Sequence, residues 1–114
     1  MAELVIDGDQ LVVRMKATEK LEAVHGEVRV PLGSVRTVEV LDDAGRAVHG
    51  IRVGTGVPGS VAIGTFSSRD VKIFAVVHHD TPRGVRVGLE GAQFDELIVG
   101  CDDPEAVASA IRQP

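Results

Sequence analysis

Valine-rich runs recur roughly every 8–15 residues, with Gly, Pro and Asp between them, and that spacing is the signature of antiparallel β structure. Side chains branched at Cβ lose little by being extended and pack well on a pleated surface. Leu4 to Asp7 forms the first run. Gly8-Asp9 supplies a tight turn, and Leu11 to Met15 answers it, which predicts a hairpin. Glu27-Val28-Arg29-Val30 alternates polar and apolar as a half-buried strand does, and Pro31 ends its ladder or marks an edge. Leu32 to Val35 reads as a short bend before a strand over Arg36 to Leu41, and Asp42 to Arg46 reads as a polar loop. Further strands are predicted at about 50–53, 60–66, 71–78, 84–89 and 94–100. Within them Val61/Ile63, Val71/Ile73/Ala75/Val77 and Val85/Val87/Leu89 fall on alternate positions, as an inward face requires.

Two segments break the pattern. Thr18 as N-cap, Leu21 and Val24 three apart, and Gly26 as stop predict one or two helical turns. Asp102-Asp103-Pro104-Glu105 is a complete helix start, with Asp at the N-cap, Pro at the first helical position and an acid in the first turn. Val107, Ala110 and Ile111 then supply an apolar stripe, and Arg112 sits where the dipole favours a cation. The tally is seven or eight strands followed by one terminal helix. It predicts a mainly β chain: a strongly bent antiparallel sheet, forming a partly open barrel, capped by one C-terminal α-helix. The 114 residues are the length of a single domain, 1–114.

Composition narrows the function. The chain is 44% hydrophobic and 25% charged, which excludes disordered, collagen-like and disulfide-scaffold classes. One cysteine, Cys101, permits no intrachain disulfide and fits a reducing, cytoplasmic compartment. No signal-peptide pattern and no long apolar run is visible, so neither usual secretion nor an integral membrane segment is expected. The net charge is −5, and three phenylalanines (Phe66, Phe74, Phe94) with no Trp or Tyr offer no stacking platform, so nucleic acid is not an expected partner. Charge is uneven, with net −4 over residues 1–44, +3 over 45–90 and −4 over 91–114.

Beyond this point the chain resembles the bacterial pleckstrin-homology-like proteins. The resemblance rests on Glu19-Lys20-Leu21-Glu22-Ala23-Val24 leading into Val28-Arg29-Val30-Pro31-Leu32, then Val35 and Val38. It continues through Gly54-Thr55-Gly56-Val57-Pro58-Gly59 and Gly64-Thr65-Phe66 to the Asp-Pro-Glu-Ala-Val helix start. It covers nearly the whole chain and implies a binding or scaffolding module without enzymatic activity. Lipid-binding eukaryotic members hold inositol phosphates with a basic first hairpin loop. Here that loop is Asp7-Gly8-Asp9-Gln10, which repels phosphate, and the tryptophan of the eukaryotic terminal helix is absent. Phosphoinositide binding is therefore not implied, and no family site residue transfers.

Residues 54–64 are glycine-rich but match neither phosphate-loop pattern; Val57-Pro58-Gly59-Ser60 suits a type II turn, and Gly64 a bulge or close backbone contact. The ligand-binding alternative uses Gly54, Gly56 and Gly59 with Arg52 and Arg69 around an anion. His78-His79-Asp80 would start a metal site only with more ligands, since neighbours on a strand face apart; His25 and His49 could join them only by the fold. Asp102 and Asp103 disfavour a reactive thiolate at Cys101. No serine sits in a nucleophile elbow. The sequence thus predicts a non-enzymatic module with no cofactor and no metal. Its expected partner is a protein or peptide, or a second copy, met through an exposed strand edge or the groove beside the terminal helix. The alternative is the small-ligand or anion site at residues 54–64.

Overall fold

The computed structural model describes residues 3–16, 27–48, 51–53 and 60–112, with backbone alone for 51–53 and for 60–61. The expected helix after Thr18 and the turn at 57–60 lie outside these residues, apart from the start of a strand at Ser60.

The chain is mainly β, in two sheets with one C-terminal helix. The first sheet has the order β1 (Glu3–Asp7), β2 (Gln10–Arg14), β3 (Val28–Pro31), all antiparallel. Gly8 takes a φ of 63° in the two-residue turn between β1 and β2, a left-handed conformation that glycine adopts at no steric cost. A 3-10 turn at Leu32–Ser34 follows, tied to that hairpin by the Leu32 amide donating to the Asp9 carbonyl.

The second sheet is built from β4 (Val35–Leu41), β5 (Ile51–Val53), β6 (Ser60–Ser68), β7 (Val71–His78), β8 (Gly84–Leu89) and β9 (Glu96–Gly100), with α1 (Ala44–Ala47) between β4 and β5. Its spatial order is β4-β8-β9-β7-β6-β5. Nine strands are therefore present among the described residues, where seven or eight were expected. The segment read as a polar loop at 42–46 closes into the single turn of α1. One pairing departs from the antiparallel expectation. β9 inserts between β8 and β7 and runs parallel to β7, from Ile73↔Glu96 to Val76↔Val99. A central position buries a strand on both faces, and both strands carry continuous apolar runs, Ile73–Val77 and Leu97–Val99.

The main core lies between the two sheets. Leu11, Val13, Val28 and Val30 meet Ile63, Phe74, Val76, Val85, Val87, Leu97 and Val99 there, with Ile111 from the helix. The set Val71/Ile73/Ala75/Val77, expected to face the core, turns instead to a smaller cluster on the other side of the sheet. It packs there with Ala44, Ala62, Phe66 and Ile98. α1 reaches this face against β8 and β9, with the Ala44 amide donating to the Pro82 carbonyl at 2.7 Å; a Cβ on Gly84 would run into the Val99 carbonyl oxygen.

The terminal helix α2 (Pro104–Arg112) forms as its start signal requires. Asp103 Oδ1 accepts the Ala106 amide at 3.1 Å, a standard N-cap contact, with Pro104 next in line. Its buried residues are Pro104, Ala108 and Ile111, while Val107 is half-buried and Ala110 exposed. The stripe is thus rotated from the expected Val107/Ala110/Ile111. α2 lies along β4, and Arg112 Nη2 donates to the Val38 carbonyl at 2.6 Å. Helix and cation together cover the outer edge of β4, which would otherwise offer unpaired backbone groups.

Candidate functional site

The opposite situation holds at β1. It is the outermost strand of its sheet. In a two-residue hairpin the pair flanking the turn exchanges both hydrogen bonds, so Asp7–Gln10 and Val5–Val12 bond to each other. By alternation, the N–H and C=O of Leu4 and Ile6 face away from β2. Beside this edge lies α2. Between them runs an apolar groove of ≈ 350 Å³, lined by Leu4, Val5 and Ile6 on the strand and Ala106, Val107 and Ala110 on the helix, with Ile111 at its floor. Ile6 is 37% exposed and is the one exposed large hydrophobic side chain among the described residues.

The groove continues into a second recess of ≈ 300 Å³ at the start of the helix, where Glu3, Asp102 and Asp103 join Leu4, Ala106 and Val107. One end of the trough is therefore acidic. Asp103 is occupied in capping the helix, whereas Glu3 and Asp102 have no cationic partner among the described residues. The neighbouring cation is engaged. Arg83 forms a two-pronged pair with Glu105, and its Nε lies 3.7 Å from Asp42. That pairing raises Arg83 and, chiefly through the hydrogen bond from Arg83, lowers the Glu105 carboxyl below its ordinary value.

Cys101 lines the acidic recess and is half-buried. Burial first, then the charges of Asp102 and Asp103, push its thiol up to about 11. At neutral pH it is a protonated thiol, unsuited to nucleophilic attack. His78 closes β7 and is half-buried; His79 follows in the turn and is exposed. Both line an open depression of ≈ 480 Å³ with Asp43, Arg46 and Pro82. No group of three or more His, Cys, Asp or Glu side chains is placed to hold a metal ion among the described residues. His25 and His49 lie outside them.

Of the residues assigned to an anion site, Gly54, Gly56 and Gly59 lie outside the described residues. Arg52 is seen in backbone alone, opposite Phe66 in the β5–β6 ladder. Arg69 stands in the turn after β6 with a φ of 48°. Ser60, next to the glycine segment, begins the nine-residue β6, and Arg69 follows its far end. An extended strand of that length spans about 30 Å.

Sequence reasoning named the groove beside the terminal helix but not the residues that make it. The available signals were the apolar Leu4 and Ile6 on one face of a first, and so edge, strand and the i, i+4 pair of small residues, Ala106 and Ala110. No family model, curated protein or solved structure matches the chain. No helix among the described residues is long and apolar enough to cross a membrane.

Proposed function

We propose that this chain is a non-catalytic interaction module that binds protein or peptide segments in the trough between β1 and α2. One observation carries the reading: a strand edge that is open among the described residues, with the backbone groups of Leu4 and Ile6 unpaired by β2, stands directly against an apolar groove. Strand edges are sticky, and folded proteins normally cover them. Here the β4 edge is covered by α2 and Arg112, while the β1 edge is left beside a ready-made apolar channel. Main-chain pairing would supply affinity, and the groove would supply side-chain selection.

The resemblance to bacterial pleckstrin-homology-like proteins agrees with this reading in architecture, a bent β body followed by a C-terminal helix. The protonated, half-buried Cys101 suits a reducing, cytoplasmic setting and argues for binding over thiol chemistry.

The test is selection of displayed random peptides on the wild-type protein, followed by rebinding to Ala106→Gln and Ala110→Gln. Both positions are exposed, so added bulk fills the groove and leaves the core intact. Selected peptides should lose binding to both variants. Peptides that bind both variants as well as wild type would place the interaction elsewhere.

A further inference from the structure

We infer that the occupant of the trough is an extended, apolar segment carrying a lysine or arginine, which adds as a strand to β1 and sets its cation against Glu3 and Asp102. The inference rests on the interaction reading above and names the chemistry of the partner.

Three features select this occupant. Leu4 and Ile6 offer their backbone donors and acceptors two residues apart, the repeat at which an added strand presents its own outward groups. The groove wall opposite carries Ala106 and Ala110, both small and exposed, with Val107 half-buried and Ile111 buried, so a chain lying on β1 meets a low apolar wall from the helix. At the helix-start end the lining turns acidic, with Glu3 and Asp102 lacking any cationic partner among the described residues. The carboxylates of Glu3, Asp102 and Asp103 at this end of the apolar channel attract a cationic side chain and repel an anionic one, although Arg14 stands opposite Glu3 in the ladder and Lys16 shares a neighbouring depression with Asp102.

A second copy of the chain fits poorly on the same edge. Symmetric antiparallel pairing of two β1 strands about Val5 sets Leu4 opposite Ile6, which satisfies the backbone. It also sets Glu3 opposite Asp7 of the second copy, a charge that Arg29 at 3.2 Å offsets only in part. Like charges directly opposite destabilise a strand pair. The mismatch falls at both ends of a five-residue strand.

The experiment uses fluorescence anisotropy with two labelled peptides, Lys-Val-Thr-Val-Thr-Val-Lys and its glutamate-ended counterpart. Cations at both ends make the probe indifferent to strand direction. The lysine peptide should bind about tenfold more tightly than the glutamate peptide. The double variant Glu3→Lys/Asp102→Lys, at two exposed positions, should reverse that preference. Ile6→Pro removes an outward amide that β2 does not use and should abolish binding. Circular dichroism reports its fold, and Ala110→Gln gives the same readout where Ile6→Pro does not fold.

Equal binding of both peptides would overturn the charge selection while leaving the groove as an interaction site. Preference for the lysine peptide that survives both Ala110→Gln and Ile6→Pro would mean attraction to the acidic surface at large, and would overturn the inference. No binding of either peptide, together with a dimer in sedimentation that Ile6→Pro dissociates, would assign the edge to a second copy. No binding and no dimer would overturn both the inference and the reading it rests on.

Discussion

Asp95 and Lys72 hold each other by two reciprocal hydrogen bonds. The Lys72 amide donates to Asp95 Oδ2 at 2.8 Å, and the Asp95 amide donates to the Lys72 carbonyl at 2.8 Å. On its other side the Asp95 carbonyl accepts the Leu89 amide, also at 2.8 Å. One residue thus fastens the start of β9 to β7 and β8 together, at the point where the strand enters between them. Replacing Asp95 with alanine should cost about 1 kcal/mol in urea unfolding. Asp95→Asn keeps an acceptor oxygen for the Lys72 amide and should recover most of that loss. Equal destabilisation by both substitutions would show that the acceptor is not what matters.

Phe74 is fully buried in the main core, and its ring lies 5.3 Å from that of Phe94 at a 44° tilt. Phe74→Ala should destabilise the domain by about 3–5 kcal/mol, from lost burial and the cavity left behind. Since single domains of this size are stable by only about 5–15 kcal/mol, the variant should unfold at markedly lower denaturant. A loss below about 1 kcal/mol would mean that the two sheets do not close over this ring as described.

Gly84 lies where β8 crosses close to the Val99 carbonyl. Gly84→Ala should cost about 1–3 kcal/mol, because backbone must shift to admit the methyl group. Gly33→Ala meets open space and should change stability by less than about 0.5 kcal/mol. Thermal melts of the two variants side by side make the comparison.

Stability should depend on pH through Glu105. Arg83 lowers its carboxyl in the folded state, so the unfolded chain binds the extra proton as pH falls. The contribution is fully present above the ordinary glutamate value and is lost as pH drops through that value toward the lowered one. Glu105→Gln should flatten the acid limb of a melting-temperature profile and leave the neutral plateau with the same slope. An unchanged acid limb would show that the Arg83 pair does not act on folding.

Cys101, with its thiol at about 11, should react with iodoacetamide at pH 8 far more slowly than a free cysteine, and should accelerate as pH rises toward that value. Asp102→Asn with Asp103→Asn should speed the reaction. Asparagine still caps the helix, and burial, the larger cause, remains.

Most of the architecture was legible because strands and caps are local. The alternation of Val85, Val87 and Leu89, the Gly8-Asp9 turn and the Asp103-Pro104 helix start each fix a short stretch without help from elsewhere. The order of strands is not local. The 90–95 connection makes a hairpin of β8 and β9, whereas 79–83 carries the chain from β7 past the place of β9 to β8. The continuous apolar runs of β7 and β9 hinted that these two strands are central neighbours. Which face of β7 meets the main core was hidden for the same reason, since Ile73–Val77 is buried on both sides. Ala44 read as loop because long-range contacts set its place: its amide donates to the Pro82 carbonyl, and it is buried in the cluster of Ile73, Ala75 and Ile98. The groove residues were hardest to foresee. Leu4 and Ala110 are 106 positions apart in the sequence, and only the packing of α2 along β4 brings them to one channel.

The most direct test of the central claim is a nitrogen-15 amide spectrum of the protein titrated with the lysine-ended peptide. The account predicts progressive shifts concentrated at the amides of Leu4, Ile6, Val107 and Ala110. Shifts confined to the Arg52–Arg69 region, or an unchanged spectrum at saturating peptide, would contradict it.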